Sequence, residues 1–259
     1  MNFVFYNDPK KLLDKAFDCK DSPELDHLLG FGGFPEPYFQ ASQTFWRRWS
    51  VNHKEQIIRE DLRDLSRVQD LDKIESLSTF LQKTVNSPVN CSSFARDLET
   101  DHNSVKRWLN ELYKIQMIFP VPPYTKKIRR LYLKDKKWYF MDWMSSANGV
   151  FENYVASSLY RAVTLYNDRY GINAGLFFVR THDGAEVDFL ITVDDKPYLL
   201  VEVKEGQPEV SKSVYRFSHE LKVPCVVVTS RRGISKKIKG SEKQDIYLLS
   251  WGKLGHLLP

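Results

Sequence analysis

Gly184-Ala185-Glu186-Val187-Asp188-Phe189-Leu190, followed by Leu199-Leu200-Val201-Glu202-Val203-Lys204, decides the fold of the C-terminal half. The two runs flank Asp194-Asp195-Lys196-Pro197, a turn-like cluster, and so predict a β-hairpin. Centred on Asp195, that hairpin sets Asp188 opposite Glu202 and Glu186 opposite Lys204. Side chains alternate faces along a strand, so all four project from one side. The other side collects Val187, Phe189 and Ile191 against Val203, Val201 and Leu199. Carboxylates crowded beside a single lysine are costly unless a ligand offsets them. A divalent metal and a phosphate both fit that requirement.

The surrounding pattern is α/β. Residues 151–166 read as a helix with Phe151, Val155, Leu159 and Val163 recurring, and residues 176–180 as a strand. After the hairpin come a helix over 211–221, an apolar strand at Cys225-Val226-Val227-Val228-Thr229 and a last short strand at 246–249. Strand, helix and buried strand in succession predict a right-handed crossover. The expected core is α-β-β-β-α-β, a mixed sheet with helices on its faces.

Upstream, residues 1–40 read as irregular, with short helices around 9–17 and 23–29. Gly30-Phe31-Gly32-Gly33-Phe34-Pro35-Glu36-Pro37 interrupts any regular element. Residues 42–65 form a helix bearing Trp46, Trp49, Ile57, Ile58, Leu62 and Leu65. From 71 to 143 the pattern is that of a winged helix-turn-helix, with helices over 71–84, 92–98 and 103–115 and wing strands around 117–119 and 138–140. The third helix buries Val105, Trp108, Leu109 and Leu112 and turns Asn103, Lys106, Arg107 and Asn110 outward, residue types that contact phosphates and base edges. Packing against protein is the competing use of such a helix. Three segments result: 1–40, 41–143 and 144–259.

The chain has 259 residues and a net charge of +5. Basic residues concentrate in two blocks. Lys126, Lys127, Arg129, Arg130, Lys134, Lys136 and Lys137 face one acid, Asp135, and a second block runs over 231–243. With Tyr124, Tyr132, Trp138 and Tyr139 interleaved, the first block suits a polyanion; a solvated lysine-rich surface is the alternative. Cys19, Cys91 and Cys225 are odd in number and scattered, which argues against a disulfide framework and for a reducing compartment. No signal peptide or membrane-length apolar run is present, so a cytoplasmic protein without membrane contact is expected.

Glu152 on the first helix, Asp188 on the second strand and Glu202-Val203-Lys204 on the third resemble the PD-(D/E)XK phosphodiesterase superfamily, the fold of many restriction and repair nucleases. Val187 stands where the superfamily's name has proline. The resemblance implies Mg²⁺ or Mn²⁺ held by Asp188 and Glu202, with Glu152 as a further ligand and Lys204 orienting the attacking water. Glu186 would pair with Lys204 or join the metal shell, and Arg180, Lys212 and Arg216 are lesser candidates for phosphate contact. It also implies a homodimer, a state in which many nucleases of this fold cut two strands.

A wider resemblance rests on Phe31-Gly32-Gly33-Phe34-Pro35-Glu36-Pro37, Ile58-Arg59-Glu60-Asp61-Leu62-Arg63-Asp64, Val105-Lys106-Arg107-Trp108-Leu109, Val121-Pro122-Pro123-Tyr124, Phe151-Glu152-Asn153 and Glu186-Val187-Asp188-Phe189-Leu190. Together these are similar to the C-terminal region, domain of unknown function 4143, of bacterial and archaeal AAA-type ATPases. No Gly-x-x-x-x-Gly-Lys-Ser/Thr occurs, so no ATPase activity of its own is expected, and an ATPase partner in trans is implied. The expected function is a Mg²⁺-dependent, nuclease-like phosphodiesterase acting on nucleic acid, positioned by the winged helix. The alternative is a catalytically inactive DNA-binding or protein-interaction module on the same fold.

Overall fold

The structure, a computed structural model, describes residues 8–62, 70–125, 135–240 and 244–258. They fall into two compact units that do not follow chain order. An α/β unit takes the described residues of 1–25, 122–134 and 154–259, and a helical unit takes those of 26–121 and 135–153.

The α/β unit is built on a mixed six-stranded sheet. Its strands are β3 (Ala174–Arg180), β4 (Glu186–Val193), β5 (Lys196–Lys204), β6 (Cys225–Thr229), β7 (Ser235–Ile238) and β8 (Ile246–Ser250), in the spatial order β3-β4-β5-β6-β8-β7. β3, β4 and β5 pair antiparallel, β5-β6-β8 parallel, and β7 returns antiparallel at the edge. β6 is buried along its whole length, as expected of a strand covered on both faces. Helix α8 (Val150–Tyr170) precedes the sheet, and α9 (Lys212–Leu221) makes the crossover from β5 to β6. Ser211 caps α9 through Val214 N–H, and Lys222 ends it in the left-handed conformation at φ 58°. Val214 and Phe217 then pack on Val187, Leu190, Leu200, Cys225 and Val227.

The hairpin turn is tighter than the sequence suggests. Val193 pairs with Lys196, leaving Asp194 (φ 49°) and Asp195 (φ 61°) as a two-residue turn of the primed type that matches strand twist. Pro197 therefore lies inside β5. A register shift between Ile191 and Thr192 then restores the expected pairing, with Phe189 opposite Val201 and Leu190 opposite Leu200.

A second irregularity corrects the expected faces. Between Phe177 and Val179, β3 advances two residues while β4 retreats three, from Leu190 to Val187, so β4 bulges at Asp188–Phe189. Val187 and Leu190 consequently share one core, and strict alternation fails. The supposed charged face is not an open one either. Tyr198, Leu200 and Glu202 are all buried, because helices cover the sheet.

Residues 1–40, expected to be irregular, are mostly helical where described. Helix α1 (Pro9–Asp18), capped by Asp8, buries Leu12, Leu13 and Ala16. Asp14 Oδ1 accepts hydrogen bonds from Tyr247 Oη (2.6 Å) and Lys237 Nζ (2.9 Å), and Asp245 Oδ2 accepts from Lys10 Nζ (3.0 Å). This group ties α1 to β7, β8 and the approach to β8. α2 (Leu25–Phe31) and α3 (Pro35–Gln40) follow. The glycine–proline run does not end regular structure after all, because Pro35 occupies the first helical position, where no N–H is needed.

In the helical unit, α4 (Gln43–Gln56) continues into a π-helical turn (Ile57–Asp61). α4 itself buries no side chain; Ile58 and Leu62 beyond it reach the core. α5 (Leu71–Thr84), α6 (Cys91–Asp97) and α7 (His102–Lys114) then lead to a two-stranded antiparallel sheet of β1 (Ile118–Val121) and β2 (Lys137–Phe140). Asn90 and Asp101 cap α6 and α7, each side chain accepting from two backbone N–H groups. α7 buries Val105, Trp108, Leu109 and Leu112, the four residues its spacing predicts. No described helix is long and apolar enough to cross a membrane.

Candidate functional site

Asp188, Glu202 and Lys204 lie together in the α/β unit where the antiparallel half of the sheet meets the parallel half. Glu202 stands beside Val227 of β6, in the same row as Leu200 beside Cys225, and so continues an apolar row into a charged end. Only 4% of Glu202 is exposed. Its Oε1 lies 2.7 Å from Lys204 Nζ, whereas its Oε2 is buried with no hydrogen-bond partner. Burial pushes the Glu202 carboxyl above the usual carboxylate range, the Asp188 charge adds to that, and Lys204 offsets part of it. The buried Cys225 thiol is raised by desolvation first and by the Glu202 and Asp188 charges next.

The bulge explains the placement of Asp188. Strand-to-strand pairing of β4 with β5 ends at Phe189 and Val201, and beyond it Val203 N–H donates to Asp188 Oδ2 at 2.7 Å. A side-chain carboxylate thus stands in for a backbone acceptor, which fixes its orientation beside Glu202. The sequence carried a signal for this. Phe189, Leu190 and Ile191 are three consecutive apolar residues, which a half-exposed alternating strand would not contain.

Other charged residues singled out in the sequence have the following partners. Glu186 pairs in register with Arg180 on β3, its Oε2 3.5 Å from the guanidinium. Arg216 is engaged by Asp183 and Glu220, each at 2.9 Å, and Lys212 is exposed. Glu152 is counted with the helical unit. Its Oε1 accepts from Tyr139 Oη at 2.7 Å and lies 4.0 Å from Lys137 Nζ, and the neighbouring Asn153 side chain bonds both backbone groups of Phe140. Among the described residues no group of three or more His, Cys, Asp or Glu is placed to hold a metal ion. Glu202, in contact with Lys204, and Asp188, whose charge acts on Glu202, are two acids brought together here.

Lys106, Arg107 and Asn110 are exposed on α7 as expected, with Asn103 and Lys114 on the same side of the helix. The first basic block differs from its reading. Lys137 is 1% exposed and Trp138 and Tyr139 are buried, so they offer neither charge nor stacking surface to a polyanion. Paired strands β1 and β2 draw them into the core. Lys126, Lys127, Arg129 and Arg130 lie outside the described residues.

Residues 22–143 match the model of a domain of unknown function, DUF8612, and residues 147–244 match that of another, DUF4143. No curated protein matches the chain. Among solved structures, the refined half-complex from the tetradecameric assembly of Thermococcus gammatolerans McrB AAA+ hexamers with bound McrC contains a similar chain. It is 13% identical, with a TM-score of 0.33 over 93% of this chain and 69% of that one.

Proposed function

We propose that the α/β unit carries a metal-dependent phosphodiesterase site for nucleic acid, made of Asp188, Glu202 and Lys204. The element order α8-β3-β4-β5-α9-β6 supports reading it as a PD-(D/E)XK fold, and α5, α6, α7 and the β1–β2 pair support a winged helix-turn-helix. One observation carries the proposal: Glu202 Oε2 is buried and unpartnered beside a second carboxylate. Leaving such an oxygen without a donor is costly, and a hard cation is the ligand that relieves it.

The residues fit such an ion. Asp188, held through Oδ2, and Glu202 would bind it, with water or substrate oxygen making up the rest of its shell. When bound, the ion supplies Lewis-acid stabilisation and a more acidic water. Lys204, whose ammonium already touches this pair at Glu202, would orient the attacking water and offset negative charge building on the phosphorane oxygens. Glu152, counted with the helical unit, accepts from Tyr139 Oη through Oε1. The exposed face of α7, with Lys106, Arg107 and Asn110, holds the nucleic acid through phosphate contacts. An AAA-type ATPase acting in trans is the partner implied by the resemblance to the C-terminal region of AAA-type ATPases, a region that carries the domain matched at residues 147–244.

Titration with Mn²⁺ tests the reading. Wild type should bind the ion and Asp188→Asn should not, while Asn keeps an acceptor for Val203 N–H and so preserves the fold. Equal weak binding by both removes the metal site. A second reading is a binding module on the same fold without catalysis. It predicts duplex binding with no nicking of plasmid DNA at any Mn²⁺ or Mg²⁺ concentration.

A further inference from the structure

Glu202 already has a cation. Lys204 Nζ lies 2.7 Å from its Oε1, the length of a charge-assisted hydrogen bond. The lysine side chain is 38% exposed and the carboxylate 5%, so the ammonium reaches the pair from the solvent side. Asp188 meanwhile has Oδ2 committed to Val203 N–H. A dication seated on Asp188 and Glu202 would face the Lys204 ammonium across one carboxylate, and like charges at that distance repel strongly in a partly desolvated site. Two carboxylates also leave most of an octahedral shell to other oxygens.

Resting on the metal-site reading above, we propose that Lys204 is the resident counter-ion of this carboxylate pair and competes with the divalent cation for Glu202. A phosphodiester that draws the Lys204 ammonium to its own oxygens frees Glu202 Oε1. The same phosphodiester offers a further oxygen ligand. Cation and polyanion thus bind with positive coupling, and the coupling is reciprocal. Lys204 thus offsets one of the two carboxylate charges until the substrate arrives.

The experiment measures Mn²⁺ affinity of the full chain by electron paramagnetic resonance. It is run with and without a short phosphorothioate DNA duplex, after subtraction of Mn²⁺ bound by duplex alone. Lys204→Met keeps the stem and removes the charge. It should bind Mn²⁺ about tenfold tighter than wild type without duplex, about 1.4 kcal/mol, and gain little more when duplex is added. Wild type should need the duplex to reach the same affinity, and Asp188→Asn should abolish binding in both backgrounds. If wild type binds Mn²⁺ and Lys204→Met binds equally or more weakly, the competition is overturned while the metal site stands. If the variant binds tighter yet keeps the full duplex dependence, the coupling through Lys204 is overturned. If neither protein binds Mn²⁺ under either condition, the metal-site reading falls and this proposal with it.

Discussion

Replacing Glu152 with alanine should unfold the helical unit far more readily than a change to a metal ligand would. Lys137 is 1% exposed, and its ammonium lies 4.0 Å from Glu152 Oε1. At an effective dielectric of about 20, such a pair attracts by about 4 kcal/mol. Breaking a buried pair from one side costs about 3–5 kcal/mol. Loss of the hydrogen bond from Tyr139 Oη adds about 1 kcal/mol. Lys137→Met removes the buried charge that faces Glu152, so Glu152→Ala with Lys137→Met should recover at least about 2 kcal/mol of the loss, because apolar replacement of a buried pair is near neutral. Urea unfolding followed by tryptophan fluorescence reads all four corners of the cycle through Trp108, Trp138 and Trp143, which are buried in this unit. A cost for Glu152→Ala below about 1 kcal/mol, the range of exposed pairs, would refute the structural role.

Glu202→Gln should stabilise the protein at neutral pH. The folded-state pKa of Glu202 is raised, so its contribution to stability is full below the unfolded value, near 4.5, and is lost as pH rises through the folded one. The variant mimics the protonated form, and its advantage in thermal melting should shrink as pH falls toward that value; a constant advantage sinks the argument. Lys106→Ala with Arg107→Ala should weaken duplex binding whatever the sequence and lower the salt slope by about 2, roughly one for each phosphate no longer neutralised. An unchanged slope would take α7 out of the interface. Gly33→Ala should cost about 1–3 kcal/mol, because a Cβ there would fall 2.3 Å from Trp143 Cη2. A neutral result by denaturant titration would mean that the Trp143 ring has room to move.

Period and punctuation made most elements legible. The helix over 71–84 and the strand over 225–229 occupy the predicted residues, because their apolar spacing agrees with local propensity and a single buried face. The mixed sheet followed from one hairpin and one crossover. What escaped were events that depend on a neighbouring strand. The bulge at Asp188 exists only relative to β3, and it decides which way Val187 points. Burial of Lys137 depends on pairing with Val121, and nothing in a lysine-rich run distinguishes that residue from its exposed neighbours. The contact between Lys204 and Glu202 was legible as a triplet with alternating sides. The unpartnered oxygen of Glu202 was not, since it reflects how deeply the row of Leu200 is covered.

The clasp of α1 on the last strands has a consequence for the birth of the protein. Asp14 and Tyr247 are 233 residues apart in sequence, yet they share a hydrogen bond. On the ribosome, α1 emerges well before its seat on β8, which follows only after the whole helical unit has been made. Leu12, Leu13 and Ala16 must remain uncovered, or shielded by a chaperone, through that interval. The α/β unit is therefore a late folder with a large loop to close, and the helical unit, inserted between its pieces, has time to form beforehand. An expression fragment beginning near residue 144, however natural it looks, would leave the edge at β7 and β8 without its first helix.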